Sequence, residues 1–93
     1  MSFNCNHPVH LKNTDMDQDM VADAVHLADE ALEVTDREVE IAKHIKTNFD
    51  LKYPAPWHCV VGRKYGSFVT YETGYFIYFF IGHWAVMLFK AKD

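Results

Sequence analysis

The sequence predicts an α+β domain in which two N-terminal helices pack on an antiparallel sheet. Three observations lead there. About the first 53 residues carry apolar side chains at helical spacing, and about the last 37 read as strands. Pro54-Ala55-Pro56 separates the two halves, because proline removes a donor and restricts the residue before it. The final strands are apolar on both faces, as expected of a sheet covered on both sides.

Taken in order, residues 1–8 read as a mobile arm of one 93-residue domain, and His7–Lys12 as a short extended piece. Asp15 and Gln18 have capping-box spacing, so the first helix is expected over Met16–Val34. Met20, Val21, Ala24, Val25, Leu27, Ala28, Ala31 and Leu32 form its apolar stripe. Asp17, Asp19, Asp23, Asp29 and Glu30 fall largely outside it, the early ones favourable at the positive end of the dipole. Thr35-Asp36-Arg37-Glu38 has capping-box spacing again. The second helix then runs to about Tyr53 through Ile41, Ala42, Ile45 and Phe49. Four strands are expected at about Trp57–Val61, Ser67–Glu72, Tyr75–Ile81 and Trp84–Lys90. Residues 62–66 join the first pair and Thr73-Gly74 the second. Gly82-His83 joins the last pair with the Gly-X pattern of a type II′ hairpin.

Alternation along the last two strands places Ile77, Phe79, Ile81, Trp84, Val86 and Leu88 on one face. Phe76, Tyr78, Phe80, Ala85, Met87 and Phe89 fall on the other. Two helices cover one face. Fully exposing about five such side chains on the second would forfeit roughly 1.5–3 kcal/mol each. That face is therefore expected to meet a second copy, a client protein, or both, unless strand curvature closes it into a barrel-like core. The polar, glycine-flanked stretch Arg63–Thr73 reads as an edge or crossing strand, to which a partner's strand can add.

Composition narrows the function. Apolar residues make up 49% of the chain and aromatics 15%, much for a domain that hides only somewhat above ~60% of its unfolded surface. The net charge is −4, with eleven acidic against four basic residues in 1–50 and two against five in 51–93. That balance argues against non-specific nucleic-acid binding. Cys5 and Cys59 suit free thiols in a reducing compartment. The start lacks a signal-peptide pattern, and Tyr75–Phe89 is too short and interrupted to span a bilayer as a helix. A soluble cytosolic protein without membrane contact is the expectation.

Catalysis and metal binding find little support. His58 and Cys59 are adjacent on a strand and point to opposite faces, so they cannot act as a base–nucleophile pair. Glu40 and His44 stand one helical turn apart and read as a surface ion pair. H-E-x-x-H and paired C-x-x-C spacings are missing, and 62–67 lacks the GK[ST] ending of a phosphate loop. No enzyme, cofactor or metal is expected.

The run Trp57–Arg63, then Gly66–Thr73, Phe76–Phe79 and Leu88–Lys90 resembles the small cytoplasmic dynein light chains, the dimeric hub proteins of the dynein motor. Lys12-Asn13, Asp15-Met16, Ile41-Ala42 and His44–Lys46 fit as well. The resemblance implies a strand-exchanged homodimer in which each sheet borrows the Tyr65–Tyr71 strand of the other subunit. It implies a cytoplasmic, cytoskeleton-associated protein whose partners are the dynein intermediate chain and other proteins with short linear motifs. Clients would add beside the borrowed strand, with a glutamine read at Glu38 and Val39, where helix-start amides are free to donate. It also implies a peptide groove built from Lys12, from Arg63, Lys64, Tyr65, Gly66, Ser67, Phe68, Val69, Thr70 and Tyr71, and from Phe76, Tyr78, Phe80, Ala85 and Met87. The implied dimer interface contains His58, Tyr65, Gly66, Ser67, Phe68 and Thr70. His58 would be its pH-sensitive position, since protonation there places a charge in a buried contact.

The chain departs from that family's pattern at a few positions. Val39 stands for a groove lysine, Phe68 and Phe80 for tyrosines, Tyr71 for a histidine, and Ala91 for a phosphorylatable serine. These departures bear on client preference and mark a divergent paralogue. A structural dimer that braces another chain without exchangeable clients is the alternative reading.

Overall fold

The computed structural model describes residues 5–54, 56–63 and 71–91, with side chains for 75–90 of the last stretch. Along the chain run β1 (Val9–Thr14), α1 (Gln18–Val34), α2 (Glu38–Lys52), β2 (His58–Gly62), β3 (Tyr71–Ile81) and β4 (Trp84–Ala91). The strands form one antiparallel sheet in the order β1-β3-β4-β2.

The extended piece expected at His7–Lys12 is a full edge strand, shifted to Val9–Thr14. Its register slips between Leu11 and Asn13, so Lys12 is the extra residue of a bulge. Residues 5–8 are held in place: the Asn6 and His7 amides donate to the Asp29 carboxylate at 3.2 and 3.1 Å, and Gly82 N–H donates to the Pro8 carbonyl at 3.0 Å.

Both expected capping boxes are displaced. Asp17 caps α1, its carboxylate accepting from Met20 N–H at 2.9 Å. Asp15 is committed elsewhere, accepting from Phe76 N–H at 2.9 Å, while Thr14 Oγ1 donates to the Phe76 carbonyl at 2.7 Å. A tertiary bond to β3 thus overrides the local one. At α2 the N-cap is Arg37, whose side chain makes no capping bond; Thr35, two residues earlier, accepts from Arg37 N–H through its Oγ1.

Thr73-Gly74 does not separate two strands. β3 passes through it, with a register irregularity between Tyr71 and Phe76 absorbing the glycine. The turn at Gly82-His83 is as expected. Gly82 has φ +58° and no other described residue has positive φ, the signature of II′ over I′.

α1 and α2 lie on one face of the sheet. Val21, Ala24, Val25, Ala28 and Ala31 meet Ile41, Ile45, Phe49 and Trp57 over Ile77, Phe79, Ile81, Val86 and Leu88. The fully buried alanines let α1 approach closely. Phe49 stacks edge-on against Trp57, with centroids 4.8 Å apart, and Trp57 in turn against Tyr75 at 5.7 Å.

The second face is less bare than the sequence suggests. Phe76, Ala85 and Met87 are buried within the single chain, while Tyr78, Phe80 and Phe89 are half-buried. Part of that cover comes from same-face neighbours, because the register sets Phe80 beside Ala85, Tyr78 beside Met87 and Phe76 beside Phe89.

Candidate functional site

The expected groove and interface residues divide into three places. Phe76, Tyr78 and Phe80 of β3 and Ala85 and Met87 of β4 form one continuous patch on the second face. The Tyr78 and Phe80 rings meet edge-on at 5.6 Å, and the Lys12 ammonium lies 5.5 Å from the Phe80 centroid. The β1 bulge brings Lys12 there. His58 sits on β2, the last strand of the described sheet, exposed and with its ring 5.6 Å from Phe89. The structure therefore places His58 and the β3–β4 patch on the same face.

The third place is a corner on the helix side of the sheet. Glu38 and Val39 are exposed at the start of α2, Val39 to 74%. With Arg37, Arg63 and Trp84 they line a cavity of about 450 Å³. Among the described residues, the first α2 amide with an intrahelical partner is that of Ile41, which donates to Arg37 O at 3.0 Å. Glu38 and Val39 N–H point out of the helix start as donors.

Lys64, Tyr65, Gly66, Ser67, Phe68, Val69 and Thr70 lie outside the described residues, and Tyr71 is described by its backbone, which pairs with Ala91. Reading the sequence alone missed Trp84 as a corner residue. Its signal lies in the antiparallel register: Gly62 pairs with Ala85, so Arg63 falls beside Trp84.

The helix surface carries the expected acidic residues but different pairs. His44 Nε2 lies 3.1 Å from Glu30 Oε1 of α1, not on Glu40. Burial and polar partners act against each other at Asp23, Asp29 and Asp50. Partial burial pushes Asp23 up, but hydrogen bonds from the Tyr53 hydroxyl and Lys52 outweigh it and hold Asp23 below its ordinary value. Asp29 is likewise held down by His7 and the Asn6 and His7 amides, and Asp50 by Lys46, the Trp57 amide and His58. Carboxylates with depressed values contribute stability above the ordinary carboxylate range and lose it as pH falls through their folded values. Urea midpoints are therefore expected to fall steadily as pH drops below about 4. Burial pushes the Cys59 thiol up to about 12 and raises Cys5 as well, so both are poor nucleophiles.

Among the described residues, no group of three or more His, Cys, Asp or Glu side chains is placed to hold a metal ion, and no helix is long and apolar enough to cross a membrane.

Known proteins match this chain in sequence and in fold. "Dynein light chain, cytoplasmic" of Emericella nidulans is 52% identical over 82 residues, 88% of this chain and 87% of that protein. The dynein light chain-like domain of a Fasciola hepatica calcium binding protein, FhCaBP2, superposes with a TM-score of 0.82, covering 94% of each chain at 16% identity. Its mercury derivative gives 0.77, covering 91% of this chain and 93% of that one at 18% identity. The sequence profile described as Dynein light chain type 1 matches residues 8–91. The chain therefore belongs to the Dynein light chain type 1 family and is a non-catalytic light chain.

Proposed function

We propose that the protein is a homodimeric light chain of the dynein hub type that binds extended segments of client proteins by strand addition. The dynein intermediate chain and other proteins carrying short linear motifs are its partners, in the cytoplasm and on the microtubule cytoskeleton. Clients lie along the strand 65–71 borrowed from the second subunit, beside β2. Lys12, Phe76, Tyr78, Phe80, Ala85 and Met87 floor the groove, and the α2 start receives a client glutamine.

The observation that carries this reading is the apolar patch of Phe76, Tyr78, Phe80, Ala85 and Met87 on the face away from the helices, one strand in from the end strand β2. An apolar sheet surface at an edge offers both halves of strand-addition binding, main-chain bonds and side-chain pockets.

Titration with a short glutamine-centred peptide tests it. Saturation at one peptide per chain is expected; no uptake would favour a purely structural brace. The α2 start gives a sharper check. Arg37→Asn supplies the missing side-chain cap, which stabilises helices by about 1 kcal/mol. The same side chain competes for the first-turn amides. The variant is expected to unfold at higher urea while binding the peptide several-fold more weakly, as read by calorimetry.

A further inference from the structure

β1 is an end strand of the described sheet, so β3 holds it from one side only. That hold is interrupted at Lys12, which as the extra residue of the bulge has no register partner on β3. The Lys12 ammonium and the His10 ring nevertheless lie 5.5 and 6.2 Å from the Phe80 centroid. The strand is fixed at its two ends. At the C-terminal end, Thr14 Oγ1 and the Asp15 carboxylate bond to the Phe76 backbone. Before the N-terminal end, the arm reaches α1. Asn6 N–H donates to both Asp29 oxygens at 3.2 Å, His7 N–H donates to Oδ1 at 3.1 Å, and His7 Nδ1 lies 2.8 Å from the same oxygen. Glu33, one turn further along α1, stands 3.6 Å from His7 Nε2. The Pro8 carbonyl then accepts from Gly82 N–H at 3.0 Å.

We propose that Asp29, aided by His7, is a positioning residue for the client groove: by strapping the arm to α1 it fixes the N-terminal end of β1 and so holds Lys12 over Phe80 before a client arrives. Strand ends with few buried contacts are the first to open. A long side chain that is still mobile must be ordered at the moment of binding, which weakens affinity. Asp29 does not reach the groove itself, because α1 packs on the opposite face of the sheet from Phe80. The inference rests on the strand-addition reading above, with Lys12 in the groove, and adds to it the device that keeps Lys12 in place.

Calorimetric titration of the glutamine-centred peptide into the wild type, Asp29→Ala, Lys12→Met and the double variant tests it. Asp29→Ala is expected to bind roughly fivefold more weakly, the cost of ordering one long side chain. In the Lys12→Met background the same substitution should change nothing further, since the side chain it positions is gone. A merely structural loss would add to that of Lys12→Met instead. Amide hydrogen exchange should quicken over residues 9–12 in Asp29→Ala and stay unchanged in β4. If Asp29→Ala does not fold, His7→Ala, which alters only the arm, decides by the same cycle with a smaller loss. Equal binding by the wild type and Asp29→Ala, or equal losses in both backgrounds, overturns the positioning role and leaves strand addition standing. Failure of all four proteins to take up the peptide overturns strand addition itself.

Discussion

Phe49→Ala is expected to destabilise the domain by about 3–5 kcal/mol, the usual cost of truncating a fully buried phenylalanine. Phe49 is fully buried on α2 and touches two aromatic rings, Trp57 edge-on and Tyr53 tilted, both with centroids 4.8 Å away. A domain of this size has little reserve, since total stabilities run about 5–15 kcal/mol. The variant should therefore lie close to its unfolding midpoint at physiological temperature. Trp57→Phe makes the informative contrast. Trp57 is equally buried, but among the described residues its indole N–H has no hydrogen-bond partner. Phenylalanine removes that unsatisfied donor along with some volume, so the loss should stay below about 1.5 kcal/mol, near that of a tolerated core swap. Urea unfolding followed by circular dichroism checks both. A Trp57→Phe loss as large as that of Phe49→Ala would mean that the indole nitrogen is engaged.

His58→Lys is expected to convert the proposed dimer to folded monomers. In a single chain His58 is exposed and leans on Phe89, on the same face as the Phe76–Met87 patch. A second subunit laid on that face would enclose it. A lysine ammonium enclosed without a partner costs several kcal/mol, and every 1.4 kcal/mol is tenfold in affinity. The dimer dissociation constant should rise at least a hundredfold. The monomer should keep its helical signal, because an exposed edge position contributes little to the fold of one chain. Sedimentation velocity reads the first effect and circular dichroism the second. A dimer indifferent to the substitution removes His58 from the interface.

What the sequence reveals about this protein follows the range of the interactions that decide it. The two helices and the Gly82 turn are legible because apolar spacing and a glycine with positive φ are local signals. Cap positions are not, because Asp15 bonds to Phe76 N–H, 61 residues away along the chain. Thr73-Gly74 looks like a turn by composition, yet pairing with β4 carries β3 through it. Glu40 and His44 are neighbours on one helix, but Glu30 of the adjoining helix takes the histidine. The second face reads as apolar from alternation alone. How much of it one chain already hides depends on cross-strand cover that alternation does not encode. Arg63 reads from the sequence as part of the candidate groove, and its place over the Trp84 ring emerges from the β2–β4 register.

Sedimentation equilibrium in the presence of excess labelled glutamine-centred peptide tests the central claim most directly. The account predicts a single species of twice the 10.8 kDa chain mass carrying one label per chain. A species of one chain mass that takes up no label would contradict it.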